Sequence, residues 1–173
     1  KFGIIGAGVV GTSLAVLLNK AGYDCMGVNT RSRESYRHFC SYLAAEHFEL
    51  GQLAALSDIL FITTNDAAIE AVASQLALLK NIRPGQVWVH CSGSLPSSVM
   101  CKDPAPAAGY LSVHPLQAFA SIDNALELMP GTHFGIEGDS GETEKLGEIL
   151  VKVLGGIPHK IEPAKKSAYH AGA

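Results

Sequence analysis

The sequence predicts an α/β fold, a doubly wound and mostly parallel sheet covered by helices on both faces. Three observations predict it. A glycine motif, Gly6-x-Gly8-x-x-Gly11, sits between a short apolar run and a helical apolar pattern. Strand-like runs then alternate with helical patterns along the whole chain. One such run, Asp58-Ile59-Leu60-Phe61-Ile62, is continuously apolar after its first residue, as a strand covered on both faces requires.

The elements follow in order. The first strand precedes Gly6, and Val10, Leu14, Leu17, Leu18 and Ala21 share one face of the next helix, which Gly22 ends. Residues 24–28 form a second strand. Ser32 caps a helix whose apolar face is Tyr36, Phe39, Cys40 and Leu43. His47-Phe48-Glu49 reads as a weak third strand. The Ile59 strand runs through Thr63-Thr64-Asn65-Asp66 into a helix with Ile69, Val72, Ala73, Leu76 and Leu79 facing the core, and Asn65 or Asp66 is its natural cap. Pro84-Gly85 turns the chain into the strand Val87-Trp88-Val89-His90. Cys91-Ser92-Gly93-Ser94 then opens a short helix, with Ser94 as its N-cap. Asp103-Pro104-Ala105-Pro106 is a linker to a strand over residues 110–114, which Pro115 stops. Residues 133–137 form another strand. Asp139-x-x-Glu142 resembles a capping box for the helix carrying Leu146, Ile149, Leu150 and Val153, and Gly155-Gly156 ends it. Residues 157–161 form a last strand, which Pro158 places at or near an edge.

Composition narrows the function. The 173 residues suffice for one domain and the beginning of a second, and with 47% apolar residues a full core can be buried. A net charge of −3 without a basic stripe argues against nucleic acid as the main partner. No apolar run approaches a membrane span, and no signal peptide precedes the first strand. Cys25, Cys40, Cys91 and Cys101 form no C-x-x-C pair, so they read as reduced thiols of a cytoplasmic protein. The histidines show no metal-ligand spacing, and no metal site is expected. The chain starts at Lys1 directly on a strand and stops at Ala173 inside a helical pattern. It is expected to be a fragment, with a dinucleotide-binding domain over residues 1–162 and the first turns of a truncated helical domain over residues 163–173.

The glycine motif carries the first chemistry. Gly6 permits a tight turn, Gly8 lets a pyrophosphate approach the backbone, and Gly11 lets the helix pack close to the strand. The helix N-terminus offers free N–H groups and the positive end of its dipole. Gly6, Gly8, Val9, Val10 and Gly11 are therefore the expected diphosphate-binding residues. A glycine-rich turn of another α/β protein, such as an S-adenosylmethionine methyltransferase, is the plainer alternative. An NAD site places a carboxylate about 20 residues beyond the glycines to bind the ribose 2′-OH. Here Val28-Asn29-Thr30-Arg31-Ser32-Arg33 has none. A 2′-phosphate can instead accept from Arg31, Ser32 and the helix that Ser32 caps, with Asn29 as a neutral neighbour. This reading favours NADP(H) over NAD(H) and over the methyltransferase. Arg31 and Arg33 also read as solvated loop charges. Thr64 and Asn65 end the Ile59 strand close to the expected ribose and pyrophosphate.

Ligands of such sheets bind at the carboxyl ends of the strands, where Ser92 and His114 also fall. A nicotinamide enzyme needs a proton donor or acceptor, and imidazole suits that role. His114 is the candidate acid/base and Ser92 the candidate orienting hydroxyl; strand and helix capping are the plainer readings. His90 reads as structural. Lys165, Lys166, Tyr169 and His170 begin a last helix, on which Lys166 and His170 share a face; an ordinary solvated face is the plainer reading there.

Together these residues resemble a family of NADP-binding oxidoreductases with a Rossmann-like N-terminal domain and a helical C-terminal domain of unknown function, DUF2520. The matching stretches are Gly6-Ala7-Gly8-Val9-Val10-Gly11, Asn29-Thr30-Arg31-Ser32, His90-Cys91-Ser92-Gly93-Ser94-Leu95, Ser112-Val113-His114-Pro115-Leu116-Gln117-Ala118-Phe119 and Lys166-Ser167-Ala168-Tyr169-His170. More distantly the layout is similar to the 6-phosphogluconate dehydrogenase-like superfamily. That resemblance implies a Rossmann-type fold and catalytic roles for Ser92, His114 and Lys166. It also implies a small-molecule substrate and a homodimer formed through the helical domain. The expected function is an NADP-dependent oxidoreductase moving hydride between nicotinamide and a small carbonyl, imine or hydroxy compound; the alternative is a non-catalytic NADP-binding sensor or regulatory module.

Overall fold

Seven strands form one sheet in a computed structural model that describes residues 1–79, 82–102 and 109–166. The strands are β1 (Phe2–Ile5), β2 (Cys25–Asn29), β3 (Ile59–Ile62), β4 (Val87–His90), β5 (Gly109–Pro115), β6 (His133–Gly138) and β7 (Ile157–Lys160). Their order is β2-β1-β3-β4-β5-β6-β7. Every neighbouring pair is parallel except β5 and β6. The order reverses between β1 and β3, which opens a crevice at their carboxyl ends. The fold is therefore α/β, doubly wound and mostly parallel, as expected. The edge position of β7 agrees with Pro158.

The helices are α1 (Val9–Lys20), α2 (Arg33–Cys40), α3 (Leu50–Leu56), α4 (Asp66–Ala77), α5 (Ile122–Leu128) and α6 (Gly141–Val153). Alternate strand residues feed two cores. Phe2, Ile4, Phe61, Val89, Leu111 and Val113 pack on one face with residues of α1, α2, α5 and α6. Ile5, Leu60, Ile62, Trp88 and Tyr110 pack on the other with residues of α3 and α4.

Several local expectations are corrected. Residues 47–49 form no strand, only an isolated parallel bridge between His47 and Val28, and the chain then turns into α3. Its start is favoured by Gln52, whose side chain accepts from the Glu49 N–H at 3.3 Å. Helix α5 lay unread between two strands; Ser121 Oγ caps it by accepting from Asn124 N at 3.1 Å. The capping box of α6 sits one residue later than the Asp139/Glu142 reading. Ser140 Oγ accepts from Thr143 N, and Thr143 Oγ1 accepts from Ser140 N, because Asp139 Oδ1 is already taken by the Thr143 hydroxyl at 3.0 Å. The linker at 103–106 lies outside the described residues, as do Tyr169 and His170.

One buried amide holds α3 to the sheet. Gln86 is buried, its Nε2 donates to Ala54 O at 2.8 Å and Ser57 O at 2.7 Å, and its Oε1 accepts from Trp88 Nε1 at 2.9 Å. Gln86→Leu would strand those three groups inside the protein. Unpaired buried groups cost on the order of 1–3 kcal/mol each, and part of that is recovered by relaxation, so we expect a loss of about 3 kcal/mol. Urea denaturation measures it; an unchanged midpoint would show that the amide does not hold α3.

Candidate functional site

A cavity of about 600 Å³ opens at the carboxyl ends of β1, β2 and β3. Its first wall is the glycine turn. Gly6 adopts φ +101°, and a Cβ there would meet the Thr63–Thr64 backbone at 2.8 Å. Gly11 lies so close to the turn that a Cβ would overlap Gly6 O and Thr63 Oγ1. Gly8 is different: a Cβ there would find nothing within 4 Å, because the position faces open space at the start of α1. The three glycines thus differ: Gly6 takes the turn, Gly11 the close packing, and Gly8 leaves the position open.

Thr63 closes the turn from the neighbouring strand. Its Oγ1 donates to Gly6 O at 2.7 Å. Sequence reasoning did not single it out; its position directly after an apolar strand and opposite the turn was the available signal. Gly6 N donates to Asn29 O at 2.9 Å, which ties the turn to the end of β2.

The second wall is the loop after β2. Thr30, Arg31, Ser32 and Ser35 line the cavity with Asn29. Ser32 Oγ caps α2, accepting from Ser35 N at 3.1 Å. Asn29 spends its amide on structure, donating to Phe48 O at 2.7 Å. The third wall is α4, which presents Asn65, Ala68, Ala71, Val72 and Gln75, with Thr64 before it. Asn65 stands at the N-cap position, yet its side chain makes no capping bond. The small and polar stripe on α4 was missed because sequence reading counted only its apolar face. No Asp or Glu stands among the described lining residues. The structure therefore brings together Gly6, Gly8, Asn29, Arg31, Ser32, Thr64 and Asn65. Val9, Val10 and Gly11 stand behind the turn in α1. Arg33 begins α2 outside the lining.

Ser92, His114 and Lys166 do not line this cavity; they belong to the rim beyond β4 and β5. Ser92 Oγ donates to Asp66 Oδ2 at 2.6 Å and accepts from Leu95 N at 3.1 Å. The serine proton thus goes to Asp66, at the first turn of α4. Ser94 is no N-cap. Its hydroxyl also donates to Asp66, at 3.1 Å, and Pro96 precedes the 3₁₀ turn over Ser97–Met100. His114 is half-buried on β5 opposite Gly135.

Beneath the loop runs a buried polar row. His90, Ser112 and Glu137 are register partners on three adjacent strands. Glu137 accepts from Ser97 N at 2.6 Å, Ser97 Oγ at 2.8 Å and Lys166 Nζ at 3.2 Å. Lys166 Nζ also donates to Ser112 Oγ. Lys166 and Glu137 each keep 4% side-chain exposure, so the reading of Lys166 as a solvated helix face is overturned. Burial pulls the Lys166 pKa down, and the Glu137 carboxylate opposes that shift.

His90 Nδ1 accepts from Ser92 N at 3.1 Å, and Nε2 lies 3.2 Å from Pro96 O. Only a neutral ring with its proton on Nε2 satisfies both partners. Burial, then the nearby Lys166 charge, lowers its pKa from 6.5 to about 4. All four cysteines are free thiols. Among the described residues no group of three or more His, Cys, Asp or Glu could hold a metal ion, and no helix is long and apolar enough to cross a membrane.

Comparison with known proteins places this geometry. A family model described as a Rossmann-like domain matches residues 1–115. A search of curated proteins finds no match. Among solved structures, a Bacteroides fragilis protein provisionally assigned as an NADP oxidoreductase superposes with a TM-score of 0.84 at 22% identity, over 99% of this chain and 64% of that one. Prephenate dehydrogenase from A. aeolicus, in complex with hydroxyphenyl propionate and NAD+, gives 0.78 at 13% identity, over 95% and 60%. A pyrroline-5-carboxylate reductase from Coxiella burnetii gives 0.72 at 16% identity, over 93% and 58%. The likeness is one of fold, and the chain spans less than two thirds of each of these proteins.

The His90 shift sets a pH dependence. Between pH 6.5 and about 4 the unfolded chain binds a proton that buried His90 refuses. Stability contributed by this residue is therefore present above pH 6.5 and lost as pH falls toward 4, by about 3 kcal/mol in all. His90→Gln should flatten the stability profile across that window in urea melts at stepped pH. An equally steep profile would place the titration elsewhere.

Proposed function

Because the chain belongs to the Rossmann-like domain family, we propose that it is the dinucleotide-binding part of an NADP(H)-dependent oxidoreductase. The single observation that carries this reading is the cavity itself. It joins a glycine turn with an open Gly8 to a loop bearing Arg31 and Ser32 and to Ser35 in the first turn of α2, and no described lining residue is a carboxylate. The residues fit the cofactor. Gly6, Gly8 and the first N–H groups of α1, from Val9 and Val10, would hold the diphosphate. Arg31, Ser32 and the start of α2 would hold the 2′-phosphate, with Asn29, Thr64 and Asn65 along the ribose walls. When bound, the nicotinamide supplies or accepts a hydride.

The chain's own residues have the remaining tasks. His114, at the carboxyl end of β5, would hold or move a proton on a small carbonyl, imine or hydroxy substrate. Ser92 would orient that substrate, with its hydroxyl fixed by Asp66. Lys166 would set the charge of the rim from its pair with Glu137. In this proposal residues 1–162 are the nucleotide-binding domain, residues 163–173 open a helical DUF2520-type domain, and a homodimer forms through it. The superfamily kinship and the homodimer come from the sequence resemblance.

The test is a fluorescence titration with NADPH and NADH. NADPH is expected to bind more tightly, and Arg31→Ala to weaken NADPH about tenfold while leaving NADH unchanged. Tighter binding of NADH, or of neither, would refute the proposal. A non-catalytic binding module is the second reading, favoured by the absence of His114, Ser92 and Lys166 from the cavity lining. Turnover by the complete protein separates the two. His114→Ala should abolish NADPH oxidation across a panel of carbonyl and imine substrates without changing NADPH affinity; if the wild type oxidises no NADPH on that panel, the module reading stands.

A further inference from the structure

His47 stands behind the loop that ends in Arg31. The backbone of residues 46–48 is pinned to the end of β2: Val28 N donates to Glu46 O at 2.9 Å, Phe48 N to Val28 O at 3.0 Å, and Asn29 Nδ2 to Phe48 O at 2.7 Å. The imidazole is held as well. Tyr36 packs edge-on against it at 5.4 Å, and the Tyr36 hydroxyl donates to Ala45 O at 3.0 Å. His47 Nε2 consequently lies 3.3 Å from Thr30 N and 3.1 Å from Thr30 O. Thr30 itself lines the cavity between Asn29 and Arg31.

One ring nitrogen cannot serve both backbone groups. With its proton on Nδ1, a neutral ring accepts from the Thr30 N–H. The imidazolium is always protonated at Nε2, so it can only donate to Thr30 O. Protonation therefore has two effects. It places a positive charge beside the loop, and it turns the ring from an acceptor of the Thr30 N–H into a donor to Thr30 O.

We infer that His47 is a further determinant of phosphate recognition: its imidazolium, donating to Thr30 O, adds a cation behind the wall of the subsite for a phosphomonoester on the adenosine ribose. This inference rests on the NADP(H) reading and deepens it. Among the ionisable groups, Tyr36 of α2 packs on the ring, and Cys40 and Glu46 in turn act on Tyr36. A bound phosphate and the imidazolium attract one another, so phosphate binding and protonation of His47 are linked.

The test is calorimetric titration of the chain with NADPH, NADH, adenosine 2′,5′-bisphosphate and adenosine 5′-monophosphate. It is run at about pH 6 and about pH 8, either side of imidazole titration, on the wild type, His47→Gln and His47→Lys. The phosphate's own ionisation, at a pKa of about 6, is common to all three proteins. The comparison is therefore the ratio of wild-type to variant affinity. For NADPH and the bisphosphate, the wild-type advantage over His47→Gln should grow about threefold or more from the higher pH to the lower. His47→Lys should show no such pH-dependent loss, because its charge is present throughout. NADH and adenosine 5′-monophosphate should not distinguish wild type from His47→Gln. Equal ratios at both pH values, or a matching effect on NADH, would overturn the role of His47. If NADPH binds no more tightly than NADH to all three proteins, the NADP(H) reading itself fails, whatever His47 does. Thermal melts of the variants identify any loss that is merely unfolding.

Discussion

The close approach of α1 to the sheet is the constraint on which the cavity depends. Position 11 lies against Gly6 O and Thr63 Oγ1, with no room for a methyl group. That contact brings the start of a twelve-residue helix to the carboxyl end of β1. The N–H groups of its first turn have no partners within the helix, and they stand at the carboxyl ends of β1 and β3. Thr63 holds the turn from β3, and Asn29 O holds it from β2. Three strands thus fix one bend, and Gly8 leaves the bend open. Under the proposed function a diphosphate would meet a surface that is already organised, so little ordering would be needed on binding.

The rim beyond β4 rests on a different balance. Its charges are buried, and a buried charge without a partner costs several kcal/mol by order of magnitude. Glu137 is satisfied by two groups of Ser97 and by Lys166, and Lys166 by Glu137 and Ser112. Ser112 also reaches the backbone of Ser92 at 3.3 Å. His90, Ser112, Glu137 and Asp66 therefore anchor the loop over residues 92–97 at several points. The two regions meet at the start of α4, where Asn65 lines the cavity and Asp66 receives the Ser92 and Ser94 hydroxyls. A shift of α4 against a ligand would reach the Ser92 loop directly.

The legible parts of the chain were those whose chemistry depends on near neighbours. The glycine turn, Ser32 as a helix cap, the continuous Ile59 strand and Pro158 at an edge are all set within a few residues. Helices α3 and α5 were not read, because each spans only seven residues, too few for a 3.6-residue period to declare itself. Ser94 was misread as a cap for a related reason. A hydroxyl next to a helix start looks like a cap until another partner claims it, and Asp66 claims Ser94 from 28 residues away. Lys166 looked solvated because helical spacing says nothing about a carboxylate on another strand.

By itself the sequence determined the α/β alternation, the bend that suits a diphosphate and the carboxylate-free loop after β2, since each is a short run of residues with its own conformational preference. Only the tertiary structure decided that Lys166 is buried against Glu137, that Asp66 holds Ser92 and that His47 stands behind Thr30. Those pairs are separated by 29, 26 and 17 positions. They come together only after β4, β5 and β6 take their register and the chain has folded back on β2, and no local pattern encodes that distance.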